Sequence, residues 1–180
     1  MKKIRVAVVG YGNIGRYCLE SVAVSPDMEL AGLVRRSGER PEGVNCPVVR
    51  DIRELGHVDA ALLAVPSRKA EESSKTYLQL GIATVDSFDI HSDIAAVRQR
   101  LGEIARAHGA VSVLSAGWDP GTDSVMRTML EYMAPRGITY TNFGPGMSMG
   151  HSVAVRSMPG VADALSMTCL LYTPDAADDL

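Results

Sequence analysis

A short run of β-branched residues, Ile4-Arg5-Val6-Ala7-Val8-Val9, passes directly into Gly10-Tyr11-Gly12-Asn13-Ile14-Gly15, and few folds accommodate that junction. The run predicts a short buried strand. Beyond it, Ile14, Tyr17, Cys18 and Val22 recur at helical spacing until Ser25-Pro26-Asp27 breaks the pattern. A G-x-G-x-x-G between a strand and a helix is the setting that a dinucleotide fingerprint requires. Gly10 permits the tight turn, Gly12 lets backbone approach a pyrophosphate, and Gly15 allows close helix–strand packing. The helix start then offers N–H donors and the positive end of its dipole to the anion. Read without a ligand, the same residues form a glycine turn.

The alternation continues. Strands are expected at Met28–Val34, Asp59–Val65, Ile82–Val85 and Val111–Leu114, with 37–47 as a loop. Helices are expected over 69–80 and along Ile94, Val97, Leu101, Ile104 and Ala105. Strands alternating with helices imply right-handed crossovers and a parallel sheet, so residues 1–117 read as a Rossmann-type α/β domain. From Trp118 the texture changes. Val125, Met126, Met129, Leu130 and Met133 mark one more helix, its Met-rich face read as core, which Pro135 ends. Ile138–Phe143 alternates, as a half-exposed antiparallel strand does. Residues 118–168 are therefore expected to hold a linker helix and the incomplete start of an α+β substrate or dimerisation domain.

Composition narrows the function classes. The chain has 180 residues, 46% of them hydrophobic and 22% charged, which is ordinary for a globular protein. Eighteen basic residues against twenty-one acidic ones leave no polybasic face, so neither nucleic acid nor membrane is an expected partner. The start Met1-Lys2-Lys3 mimics a secretory n-region, but the apolar stretch behind it is too short for an h-region. Three cysteines without a Cys-x-x-Cys pair, and four histidines without ligand spacing, point to reduced thiols in a cytoplasmic protein with no metal.

Cofactor choice rests on the end of the second strand. NAD sites usually place an acidic residue there for the ribose 2′-hydroxyl. This chain has Arg35-Arg36, whose guanidinium groups suit a 2′-phosphate, so NADP is expected, the alternative being a solvated basic turn. Val65-Pro66-Ser67-Arg68 falls where such folds close over the cofactor, although Ser67 could equally be a helix cap. Three further clusters lie at or after strand ends: Asp86-Ser87-Phe88-Asp89-Ile90-His91, Gly117-Trp118-Asp119-Pro120-Gly121, and residues 143–151, FGPGMSMGH. Ligands of open α/β sheets bind outside the carboxyl ends of strands. Two acidic loops facing a nicotinamide would hold a cation such as a substrate ammonium; each Asp alone could be only a cap.

Together these strings, with TYTNFGPGMSMGHSVAV and MPGVADALSMT, resemble the meso-diaminopimelate D-dehydrogenase family from residue 1 to about 168. The GWDPG and FGPG-x-S-x-GH strings are specific to that family; the glycine motif is not. The resemblance implies NADP-dependent oxidative deamination of the D-centre of meso-2,6-diaminopimelate, within lysine biosynthesis, by a homodimer. Ammonia leaves, and the L-2-amino-6-oxopimelate formed cyclises to tetrahydrodipicolinate. It implies that Asp89, Trp118 and Asp119 surround the D-amino-acid end, that Phe143, Met149 and Gly150 line the same pocket, and that Pro120 and Gly121 border the cofactor. Asp119 and Asp89 are the catalytic residues it implies, Asp119 to bind the ammonium and accept its proton. His151 could relay protons or be structural.

The resemblance stops at Cys169. Residues 169–180, CLLYTPDAADDL, read as a translated sequencing-library adapter, so a non-native tail on a truncated frame is expected, the alternative being a natural divergent terminus. Two alternatives stand beside the dehydrogenase reading. One is an inactive NADP-binding fragment. The other is a Rossmann oxidoreductase of the dihydrodipicolinate reductase type, although no Lys or His dyad of that kind is evident.

Overall fold

The computed structural model describes residues 2–137, 146–148, 152, 155–156 and 158–168. The chain divides into two compact units, Met1–Pro135 and Arg136–Leu180.

The first unit opens on β1 (Ile4–Val9), which the glycine loop joins to α1 (Asn13–Val24). Val6, Ala7 and Val8 of β1 are almost fully buried. Both faces of the strand are covered there, which explains why its sequence is continuously apolar from Val6 to Val9. Ala7 and Val9 join one core cluster with Ile52, Val58 and Leu63, while Val8 joins another with Leu33, Val44 and Cys46. Next come β2 (Met28–Val34), a two-residue β3 (Val48–Val49), a 3-10 turn over Ile52–Leu55, and β4 (Ala60–Leu63). α2 (Ser67–Leu78), β5 (Ala83–Asp86), α3 (Ile94–Ala107), β6 (Ser112–Val113) and α4 (Thr122–Met133) complete the unit.

The sheet order is β3-β2-β1-β4-β5-β6, and every pairing is parallel. This is the doubly wound arrangement, in which chain direction across the sheet reverses between β1 and β4. The carboxyl ends of β1, β4, β5 and β6 therefore stand side by side along one edge. Leu78, Val97 and Leu101 seal α2 and α3 together.

The second unit contributes an antiparallel pair, β7 (Gly146–Ser148) with β8 (Ser166–Thr168). The strand expected at Ile138–Phe143, and residues 169–180, lie outside the described residues. α4 forms where its spacing predicts, but its apolar stripe does not behave as core: Val125, Met129 and Met133 are exposed. Helical periodicity shows which face is apolar without showing what covers it. No helix among the described residues is long and apolar enough to cross a membrane.

One ion-pair network joins α2 to α3. The Glu71 carboxylate lies 2.7 Å from Arg100 Nε and 2.9 Å from Lys75 Nζ. Hydrogen bonds from Arg100, then Lys75, hold the Glu71 pKa down to about 2 from its ordinary 4.5. A folded-state pKa below the unfolded one adds stability above the unfolded value, and that stability is lost as pH falls through the folded value. Glu71→Gln is accordingly expected to lower Tm by about 1–3 °C at pH 7, as befits a partly exposed pair. The gap between the two melting curves should close between pH 4.5 and pH 2.

Candidate functional site

The glycine loop sits at the reversal between β1 and β4. Gly10 has φ +97°, and a Cβ placed on it would lie 2.3 Å from the carbonyl oxygen of Ala64, just beyond β4. A Cβ on Gly15 would meet the Gly10 carbonyl at 2.2 Å. Both glycines are therefore required by close backbone approach. Gly12 differs, since a Cβ there would have nothing within 4 Å. Its Cα borders open space at the start of α1, where it is the N-cap and offers no capping side chain. The first intrahelical bond runs from the Arg16 N–H to the Gly12 carbonyl at 3.0 Å. Amides 13–15 precede that bond, and such N-terminal groups lack intrahelical acceptors. Gly12, Asn13 and Ile14 are all exposed. The result is an open cradle of backbone donors that fits a pyrophosphate.

Arg35 follows β2 directly, with its guanidinium 5.8 Å from the Tyr11 ring centroid and Nη1 donating to the Glu39 carbonyl at 2.9 Å. These contacts place one cation beside the glycine loop. Arg36 is exposed next to it. Arg50, which the sequence reading passed over, donates from Nε and Nη2 to the Ser37 carbonyl at 3.2 and 3.0 Å and so fixes the turn that carries both arginines. Across the reversal, Val65 and Pro66 follow β4, and Pro66 is the N-cap of α2. Ser67 is the first residue of the helix, and no side chain caps it, so the alternative reading of Ser67 as a cap does not hold. Arg68 is exposed.

Further along the same edge, two loops are tied to one buried carboxylate. Asp86, at the end of β5, is 3% exposed, which marks it as structural rather than ligand-facing. It accepts from the Phe88 amide at 2.9 Å, from the Ser115 amide at 3.3 Å and from the Ser74 hydroxyl at 3.2 Å, while its own carbonyl accepts from the Ala116 amide at 2.7 Å. The loop carrying Asp89 and the loop carrying Trp118 and Asp119 are thereby fastened together. Gly117 lies against Ser87, since a Cβ added to it would sit 3.2 Å from the serine Cβ. Ser115 has φ +60°, and its buried hydroxyl has no partner among the described residues. Asp89, Trp118 and Asp119 are exposed on this edge.

Asp119 does not cap α4, whose N-cap is Gly121. Gly121 has φ +144°, and a Cβ there would lie 2.0 Å from the Gly117 carbonyl, so the 117–121 loop closes only around glycine. The Asp119–Pro120 peptide within it is cis. Asp119 Oδ1 lies 2.8 Å from Arg127 Nη2, and Arg127 Nε lies 2.8 Å from the carboxylate of buried Asp123. Neither Arg127 nor Asp123 stood out in the sequence, although their spacing of four on α4 was available as a signal. Phe143, Met149, Gly150 and His151 lie outside the described residues.

Residues 4–87 match the model of an oxidoreductase family with an NAD-binding Rossmann fold. Residues 117–174 match that of the diaminopimelic acid dehydrogenase C-terminal domain. The meso-diaminopimelate D-dehydrogenase of Bacteroides fragilis is 60% identical over 171 residues, which cover 93% of this chain and 57% of the relative. The Corynebacterium glutamicum diaminopimelate dehydrogenase, solved in complex with diaminopimelate, superposes with a TM-score of 0.76 at 38% identity, over 92% of this chain and 52% of that one. An engineered D-amino acid dehydrogenase bound to NADP+ gives a TM-score of 0.74 at 37% identity, over 91% and 52% of the respective chains. The chain spans about half the length of the relatives it matches.

Proposed function

Taking kinship with the meso-diaminopimelate D-dehydrogenases as the premise, we propose that this chain supplies the cofactor site and part of the substrate site of an NADP-dependent D-amino-acid dehydrogenase. Its substrate is meso-2,6-diaminopimelate, deaminated oxidatively at the D-centre. The observation that carries the reading is the pair of fastened loops bearing Asp89, Trp118 and Asp119, on the same sheet edge as the open Gly12 cradle. When bound, NADP provides the hydride acceptor. The amides at the start of α1 hold the pyrophosphate, and Arg35 and Arg36 pair with the 2′-phosphate. Val65–Arg68 and Pro120–Gly121 border the cofactor.

Asp119 is the group that receives the substrate ammonium. Its exposed carboxylate can pair with that cation and accept a proton from it. Asp89 adds negative charge on the neighbouring loop, and Trp118 provides an apolar wall. Water then attacks the carbon left electron-poor by hydride loss, ammonia departs, and the 6-oxo product remains. The family resemblance assigns Phe143, Met149 and Gly150 to the substrate as well.

The deciding assay uses the protein at full length and follows NADPH formation from NADP+ at high pH. Turnover is expected with meso-diaminopimelate and not with the L,L-isomer, which lacks a D-centre. Equal rates with the two isomers, or no turnover of either, would overturn the proposal. Cofactor choice has its own check. Replacing Arg35 and Arg36 together with alanine should weaken NADP binding by at least about 10- to 100-fold, the loss expected from a single bond to a charged group at roughly 1.5–3 kcal/mol. NAD, which has no 2′-phosphate, should lose little in the same titration.

A further inference from the structure

Arg127 stands between two carboxylates of different character. Asp123, in the first turn of α4, is buried, and its side chain is 8% exposed; Asp119, on the preceding loop, is exposed. Arg127 Nε takes Asp123 Oδ2 and Nη2 takes Asp119 Oδ1, each at 2.8 Å. The planar guanidinium is thus anchored at one edge by a carboxylate fixed in the helix, and its other edge fixes the loop carboxylate.

The charges matter as much as the geometry. A lone arginine on Asp119 would cancel the negative charge that an ammonium needs. With Asp123 included, two carboxylates and one guanidinium sum to one net negative charge, and among the described residues no contact is made to Oδ2 of Asp119, which leaves it for a second cation. We propose that Arg127, held and neutralised by Asp123, is a positioning residue that presents Asp119 to the substrate ammonium. This rests on the reading of Asp119 as the ammonium-binding residue.

The test compares Asp119→Asn, Arg127→Ala, Arg127→Lys, Asp123→Asn and the double variant Asp119→Asn/Arg127→Ala in the full-length protein. NADP affinity is measured in each as the check that the first unit is folded. With NADP affinity retained, Arg127→Ala should raise KM for meso-diaminopimelate about tenfold and move kcat less. Asp123→Asn should raise KM in the same sense, although Asp123 itself does not reach substrate. Arg127→Lys, a single ammonium in place of a fork, should restore only part of the loss. The double variant should be no worse in KM than Asp119→Asn alone, because Arg127 acts through Asp119.

A KM unchanged in Arg127→Ala while Asp119→Asn raises it would overturn the role of Arg127 and leave Asp119 standing. Additive losses in the double variant would likewise overturn it, since they would mark a merely structural arginine. Should Arg127→Ala fail to bind NADP, Arg127→Lys and Asp123→Asn decide in its place: KM unchanged in both overturns the proposal. An unchanged KM in Asp119→Asn would instead overturn the reading of Asp119 beneath it.

Discussion

Gly10→Ala is expected to lower nicotinamide-cofactor affinity by at least about 100-fold and to destabilise the fold, whereas Gly12→Ala should impair affinity alone. At Gly10 the backbone has φ +97°, a conformation that costs an L-residue about 1–3 kcal/mol. The added Cβ would also lie 2.3 Å from the Ala64 carbonyl, so the loop must move away from β4. Strain and displacement of about 3 kcal/mol together correspond to roughly two decades of affinity. At Gly12 the backbone is extended and the space in front of it is open, so a methyl group disturbs nothing in the protein itself. That methyl occupies the cradle into which a pyrophosphate must come. A thermal melt and a fluorescence titration with NADPH on each variant separate the two cases. An undiminished affinity in Gly12→Ala would show that the cradle is not where the phosphates sit.

The contrast between these glycines shows what could be read from the sequence. The strand–glycine–helix junction was legible because each of its parts has a local cause: β1 is apolar from Val6 to Val9 because both its faces are covered, and Gly10 and Gly15 mark close approach. The bounds of β1 and β2 followed directly. β3 did not, because two valines carry no periodicity; the strand exists because the Leu33 and Arg35 amides donate to Pro47 and Val49, a tertiary pairing. Asp86 and Asp89 illustrate the same limit within one string. Both are aspartates in a polar loop motif, and only the register of β5 decides that the first is buried and fastens two loops while the second faces out. Arg127 was overlooked for a related reason. A single arginine on an amphipathic helix looks like solvated surface until the 117–121 loop folds back onto it. Sequence thus pointed to the loops proposed to carry the chemistry, and the structure adds the groups that hold those loops.

Asp119→Asn is expected to leave NADP affinity unchanged and to lower kcat/KM for meso-diaminopimelate by about 10- to 150-fold. The substitution keeps size and hydrogen-bonding capacity but removes the charge. An ammonium that pairs with a carboxylate gains roughly 1.5–3 kcal/mol over one that meets a neutral amide, which sets the range. If Asp119 also accepts the proton during deamination, kcat falls as well, because positioned acid–base groups contribute about 10²–10⁴-fold. In the proposed reading phosphate binding is untouched, since that reading assigns it to the amides behind Gly12 and to Arg35 and Arg36. The local fold has reason to survive. Arg127 keeps its ion pair with Asp123, and the asparagine oxygen can still accept from Nη2. Steady-state kinetics on the full-length variant, beside a cofactor titration, give both numbers. Turnover at the parental rate would reduce Asp119 to a loop residue that merely pairs with Arg127, and the substrate ammonium would then have to be held by other groups.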